Sequence, residues 1–126
     1  MLHSVLLVDD NQTFLQMLAR FLAESSAGDV AVVGAAQGGR DALAHARRLR
    51  PDLVLVDLAM PDLPGLVVLP KLRETLPTAI LIALTLQDSE ESREAALAAG
   101  ADAFVSKASL ERDLLPTIRE LAARRS

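Results

Sequence analysis

Five residues with chemically useful side chains each stand at or just after the end of a short apolar run. They are Asp9 and Asp10, Asp57, Thr85 and Lys107. Three carboxylates brought together repel one another, so some must be protonated or bridged by a cation. Hard oxygen ligands suit Mg²⁺ or Mn²⁺, and a carboxylate can act as a nucleophile towards phosphorus. With an ammonium and a hydroxyl to neutralise phosphoryl oxygens, the set predicts metal-assisted phosphoryl transfer.

The apolar runs themselves predict the elements that position these residues. Rich in Val, Ile and Leu, they cover residues 4–8, 53–56, 79–84 and 103–106. Such runs between helix-like stretches are typical of strands buried on both faces of a parallel sheet. Parallel strands share one carboxyl edge, which is where open α/β sheets bind ligands. We therefore expect the five residues to converge there.

Helical patterns alternate with the strands and complete a (βα)5 order. A further strand is predicted over residues 30–34, and helices are predicted over residues 14–22, 42–49, 67–76, 88–99 and 110–124. Asp88 with Glu91 three residues later predicts a capped helix start. Pro70 predicts a late start or a kink in the third helix. Pro116 is tolerated if Asp113 caps the fifth helix.

Composition excludes several classes of protein. The 126 residues suit one globular domain, and 51% of them are hydrophobic. A net charge of -4 argues against a nucleic-acid surface. The absence of cysteine excludes thiolate chemistry and fits a cytoplasmic protein. No apolar stretch approaches the ~20 residues of a membrane span.

Together with the loop Met60-Pro61-Asp62-Leu63-Pro64-Gly65, the five residues closely resemble the receiver domain of bacterial two-component response regulators. The resemblance implies a flavodoxin-like (βα)5 three-layer sandwich with a parallel sheet ordered 2-1-3-4-5. It also implies that residues 1–126 are one receiver domain, without an output domain.

The resemblance assigns roles at the metal and phosphoryl sites. Asp57 would accept a phosphoryl group from a sensor histidine kinase or a phosphotransfer protein. Asp10, Asp57 and the Ala59 carbonyl would ligate Mg²⁺, for which Mn²⁺ could substitute, and Asp9 would reach the ion mainly through water. The domain would catalyse only its own phosphorylation and dephosphorylation, so it would not otherwise be an enzyme.

The resemblance also implies how a signal would leave the site. Thr85 would turn towards the phosphoryl group while Lys107 neutralises it, and Phe104 would change rotamer. The surface of the fourth helix, fifth strand and fifth helix would switch as a result. The partners implied are an output domain or a second copy of the chain, with no direct binding to nucleic acid or membrane.

Two residues depart from the family pattern. Ala108 stands where the family usually has a proline with a cis bond, and we expect a trans bond here because a non-proline cis bond costs ~3 kcal/mol. Leu86 replaces a small residue after Thr85 and is expected to narrow access to the phosphoryl group. The residues around Lys107 resemble the branch with LuxR-type helix-turn-helix outputs, which indicates transcriptional control.

Two other functions use similar residues. A haloacid-dehalogenase-like phosphohydrolase also needs Asp, Mg²⁺, Thr and Lys, but its two aspartates are separated by one residue, whereas Asp9 and Asp10 are adjacent. A flavodoxin-like cofactor binder would place Ser, Thr and Gly in the turn after the first strand. That turn begins with the two aspartates, so both alternatives fit less well.

Overall fold

The computed structural model describes residues 3–26 and 28–125. Five parallel strands form one sheet in the order β2-β1-β3-β4-β5, as predicted. The strands are β1 (His3–Val8), β2 (Val30–Ala36), β3 (Leu53–Asp57), β4 (Ile80–Thr85) and β5 (Ala103–Ser106). The helices are α1 (Gln12–Ser25), α2 (Gly39–Leu49), α3 (Gly65–Thr75), α4 (Glu90–Ala98) and α5 (Leu110–Arg124), with a 3₁₀ turn at Lys107–Ser109.

Two apolar layers enclose the sheet, because successive strand residues point to opposite faces. Leu53 and Leu55 of β3 belong to the cluster with α1 and α5. Val54 and Val56 belong to the cluster with α2, α3 and α4. The central strand is therefore buried on both sides, which explains its unbroken apolar run. No described helix has the length and apolar character needed to cross a membrane.

The late start predicted for the third helix is wrong. α3 begins at Gly65, directly after Pro64, and Pro70 is its sixth residue. A Cβ at Gly65 would lie 2.6 Å from the Asp57 carbonyl oxygen and 2.6 Å from the Leu58 Cα. Only glycine allows this close approach, so α3 starts against the end of β3.

The caps predicted for α4 and α5 are wrong, whereas α1 has a cap for which no prediction was made. Asn11 caps α1 by accepting a hydrogen bond from the Phe14 N–H. Ser89, rather than Asp88, caps α4. The cap predicted at Asp113 is wrong, because α5 begins at Leu110 and continues through Pro116.

Candidate functional site at the carboxyl edge of the sheet

The strand register brings the predicted residues to one edge of the sheet. Val8 pairs with Val56, so Asp9 and Asp57 leave adjacent strands side by side. Thr85 pairs with Ser106, so Lys107 follows at the neighbouring position. The convergence expected from the strand ends is therefore present.

Asp9, Asp57 and Lys107 form a compact ion cluster. The Lys107 Nζ lies 2.6 Å from Asp9 Oδ2 and 3.5 Å from Asp57 Oδ1. The Lys107 side chain is 11% exposed, against 2% for Asp9 and 6% for Asp57. Water therefore screens these charges poorly, and each one strongly affects its neighbours.

Asp10 completes a group of three carboxylates. One carboxylate oxygen each from Asp9, Asp10 and Asp57 lies within 4.8 Å of the others, and Asp10 is exposed. Three hard oxygen donors beside open solvent fit a small divalent cation that keeps several waters, as Mg²⁺ does. Asp9 is the least available of the three, since its Oδ1 accepts from the Asn11 N–H at 2.8 Å and its Oδ2 from Lys107.

The environment of Asp57 raises the pKa of its carboxyl group. Burial is the largest cause, and the neighbouring Asp9 charge adds to it. The Lys107 ammonium and the Ala59 backbone N–H both act in the opposite direction and lower the pKa. The positive charge of Lys107 thus does not fully offset burial and the Asp9 charge at Asp57, and a bound cation would add to it.

Thr85 lies at the same edge and is buried. Its Oγ1 accepts from the Gln87 N–H at 3.0 Å, and it bonds to none of the described carboxylates. The hydroxyl proton therefore stays available to an incoming acceptor. Leu86 is 78% exposed, so its side chain extends into solvent.

One contributor to the site was not expected from the sequence. The Lys107 Nζ lies 4.1 Å from the centroid of the Phe14 ring. The spacing of Phe14 along α1 predicted only a core residue, and it does pack partly buried against the core. Its position in the first turn of α1, directly after Asp9 and Asp10, was the feature of the sequence that could have indicated a place near the site.

The loop after Asp57 is tied to α2. The Asp62 carboxylate accepts from the Gly39 N–H at 3.0 Å and from the Arg40 N–H at 3.2 Å. These hydrogen bonds lower the pKa of Asp62. Asp62 thus caps a helix whose own N-cap residue, Gly38, has no side chain to do so.

The two remaining expectations concern β5 and the turn after it. Among the described residues no peptide bond is cis, so the Lys107–Ala108 bond is trans as predicted. Phe104 is partly buried and packs against the cluster of α2, α3 and α4. It also lines a groove with Leu97 of α4 and Leu121 of α5.

Comparison with known proteins agrees with this geometry. The family model described as the response regulator receiver domain matches residues 5–119. This chain belongs to that family. The receiver domain is 34% identical over 118 residues to the response regulator protein VraR of Staphylococcus aureus. That match covers 92% of this chain and 54% of VraR, so the chain spans about half the length of the curated relatives it matches.

Solved receiver structures confirm the fold. The signal receiver domain of the response regulator NarL from Mycobacterium tuberculosis superposes with a TM-score of 0.86 at 28% identity, covering 96% of each chain. A LuxR-family response regulator from Aurantimonas sp. SI85-9A1 gives a TM-score of 0.89 at 28% identity, covering 98% of this receiver domain and 86% of that chain. These relatives include LuxR-family regulators, in line with the branch indicated by the sequence.

Proposed function

We propose that this receiver domain accepts a phosphoryl group on Asp57 in a Mg²⁺-dependent reaction. The observation that supports this most directly is the meeting of Asp57 with Asp9, Asp10 and Lys107 at one edge of the sheet. A carboxylate oxygen of Asp57 attacks phosphorus, and the bond from phosphorus to the donor atom breaks. The donor leaves with that electron pair.

The donor is a phosphohistidine of a sensor kinase or of a phosphotransfer protein, and its imidazole nitrogen is the leaving atom. Small acyl phosphates offer the same phosphoryl group and can replace the protein donor in a test. The Asp57 side chain is largely buried at the end of β3, so a donor must approach along the strand axis from the carboxyl edge. This direction permits in-line transfer.

Asp10, Asp57 and the Ala59 carbonyl would hold Mg²⁺, or Mn²⁺ in its place, and Asp9 would reach it mainly through water. The ion would supply the positive charge that the phosphoryl oxygens need during transfer. Support for the lesser part of Asp9 comes from its two oxygens, which already accept from Asn11 and Lys107.

Lys107 and Thr85 recognise the phosphoryl group once it is bound. The Lys107 ammonium is 3.5 Å from Asp57 Oδ1, so a short movement brings it to a phosphoryl oxygen. The Thr85 hydroxyl donates its free proton to another. These two contacts favour the phosphorylated arrangement of the domain over the unphosphorylated one, which a switch requires.

The signal leaves through the face formed by α4, β5 and α5. Phe104 supports this route, because it is partly buried against the core and also lines the groove at that face. By likeness to LuxR-family relatives, the receiver acts in the cytoplasm in transcriptional control, through an output domain or a second copy. Its catalysis is limited to its own phosphorylation and dephosphorylation.

Labelling by acetyl phosphate tests the proposal. The wild-type receiver should take up one phosphoryl group per chain when Mg²⁺ is present and none when it is chelated. Asp57→Asn should abolish the labelling, because an amide is not a nucleophile towards phosphorus. Mass spectrometry of the intact protein and of its peptides measures both the amount and the position.

Asp88→Asn is the matched control, since Asp88 is an exposed aspartate in the loop after β4. It should be labelled like the wild type. Phosphate found on another residue, or full labelling of Asp57→Asn, would contradict the assignment. Sustained turnover of p-nitrophenyl phosphate would favour the phosphohydrolase instead, and bound flavin would favour the cofactor binder.

A further inference from the structure

The ammonium of Lys107 has a neighbour on each of three sides. Asp9 Oδ2 lies 2.6 Å away, Asp57 Oδ1 lies 3.5 Å away and the Phe14 ring centroid lies 4.1 Å away. The first two are the charges of the site. The third is an aromatic face, whose negative quadrupole attracts a cation.

We propose that Phe14 is a positioning residue that holds the Lys107 ammonium at the phosphorylation site. This inference rests on the proposed function, because it assigns Phe14 a part in the reaction at Asp57. Phe14 itself touches neither phosphoryl group nor carboxylate in this role. It acts through Lys107 alone.

The ring performs a task that the carboxylates cannot. A lysine side chain has four rotatable bonds, and fixing it in one conformation costs rotamer entropy. The Lys107 side chain is only 11% exposed although its Nζ is charged, so the ring covers surface that water would otherwise reach. The Lys107 side chain is thus ordered and partly desolvated before the phosphoryl donor arrives. This lowers the free-energy barrier to phosphoryl transfer.

The ring also leaves the ammonium free to change partners. A cation over an aromatic face makes no directional hydrogen bond there, so its N–H groups stay available to oxygen acceptors. Lys107 can therefore exchange Asp9 for a phosphoryl oxygen while it remains against Phe14. An additional carboxylate in place of the ring would compete with the phosphoryl group for the same N–H donors.

The contact can be observed directly because the chain has only two lysines, Lys71 and Lys107. Lys71 lies exposed on α3 and serves as an internal reference. In NMR spectra of the unphosphorylated receiver, the ring should move the Hε and Nζ proton resonances of Lys107 upfield of those of Lys71. Phe14→Leu should remove this displacement, whereas Phe14→Tyr should keep it.

The effect on the reaction is measured with acetyl phosphate under the same conditions. Phe14→Leu should lower the rate constant for labelling of Asp57 by roughly three- to tenfold, as expected for a partly desolvated cation–π contact. Phe14→Tyr should restore most of the rate. Phe21→Leu is the matched control, because Phe21 is on the same helix and packs partly buried against the same core cluster.

Unchanged Lys107 resonances in Phe14→Leu would show that the contact is absent in solution and would overturn the proposal. So would a labelling rate that equals the wild type, or an equal loss in Phe21→Leu, which would indicate a general effect of helix packing. Failure of the wild type to be labelled at all would instead contradict the proposed function. The resonance comparison needs no phosphorylation, so it separates the two.

Discussion

The ion clusters at the two edges of the sheet have opposite net charge. At the carboxyl edge, the carboxylates of Asp9, Asp10 and Asp57 face the single ammonium of Lys107. At the amino edge, just before β5, a second cluster forms around the carboxylate of Asp102. This carboxylate accepts from Arg73 at 2.9 Å, from Arg125 at 3.2 Å and from the Leu81 N–H at 2.9 Å.

This difference in charge indicates a structural role for the cluster at the amino edge and a reactive one for the cluster at the carboxyl edge. Asp102 has two guanidinium partners and a backbone donor, so its charge is compensated within the chain. Arg73 also donates to the carbonyls of Ala79 and Gly100, which joins α3 to the segments that lead into β4 and β5. The carboxyl edge lacks such compensation, and it therefore has capacity for an added cation and a phosphoryl group.

Removing the one cation of the carboxyl edge should have the largest effect on stability. We expect Lys107→Met to lower the free energy of unfolding by about 3 kcal/mol without Mg²⁺, because buried carboxylates lose their only ammonium. Urea denaturation followed by circular dichroism measures the change. Lys71→Met is the control and should stay within about 0.5 kcal/mol. Equal values for the two variants would contradict the distinction between the edges.

Breaking the amino edge should have the next largest effect. Asp102→Asn should lower the free energy of unfolding by about 2 kcal/mol, since two guanidiniums lose their charged acceptor. Its labelling by acetyl phosphate should remain at the wild-type rate. Asp29→Asn removes an exposed pair with Arg119 and should cost about 0.5 kcal/mol or less. A loss of labelling in Asp102→Asn at temperatures where it is folded would show that the two edges are coupled.

Of the three variants in the two ion clusters, Asp57→Asn should have the smallest effect on stability, and the effect should have the opposite sign. Without Mg²⁺ the variant should be more stable than the wild type by roughly 1 kcal/mol near neutral pH, because a poorly compensated buried charge is removed. Saturating Mg²⁺ should reverse the order by stabilising the wild type more. Unfolding curves in EDTA and in Mg²⁺ give both values, and a variant less stable than the wild type in EDTA would refute the interpretation.

The pH dependence of this difference follows from the raised pKa of Asp57. The protonated form is favoured in the folded state, so its contribution to stability is complete below the ordinary value of 3.8. It is lost as the pH rises through the folded-state pKa. The advantage of Asp57→Asn should therefore be absent at the acid end and develop as the pH increases.

Strong local signals explain the parts of the fold that the sequence predicts. The apolar run before Asp57 is uninterrupted and consists only of Leu and Val, and it predicted β3 almost to the residue. β2 continues to Ala36, two residues beyond the predicted end, because Ala35 and Ala36 are too small to signal a strand by themselves. The start of α3 at Gly65 depends on close packing against Leu58, which no local pattern contains.

Contacts between distant elements account for what the sequence does not predict. Phe14 meets Lys107 only because α1 and the end of β5 lie side by side in the folded chain. Arg73 and Asp102 are 29 positions apart, and nothing in the local sequence of either pairs them. The meeting of the three carboxylates was predictable because they follow strands, and strand ends have a known place in a parallel sheet.

The hydrogen bonds from Gly39 and Arg40 to Asp62 couple the opening of the loop after Asp57 to the unfolding of the first turn of α2. If the loop after Asp57 swings away from the sheet, the first turn of α2 loses the acceptor of its end donors and begins to fray. We therefore expect amide protons in these two segments to exchange with solvent through a shared local unfolding event. A regulator that binds α2 and clamps its first turn would thereby slow the opening of the loop beside Asp57 without touching Asp57 itself.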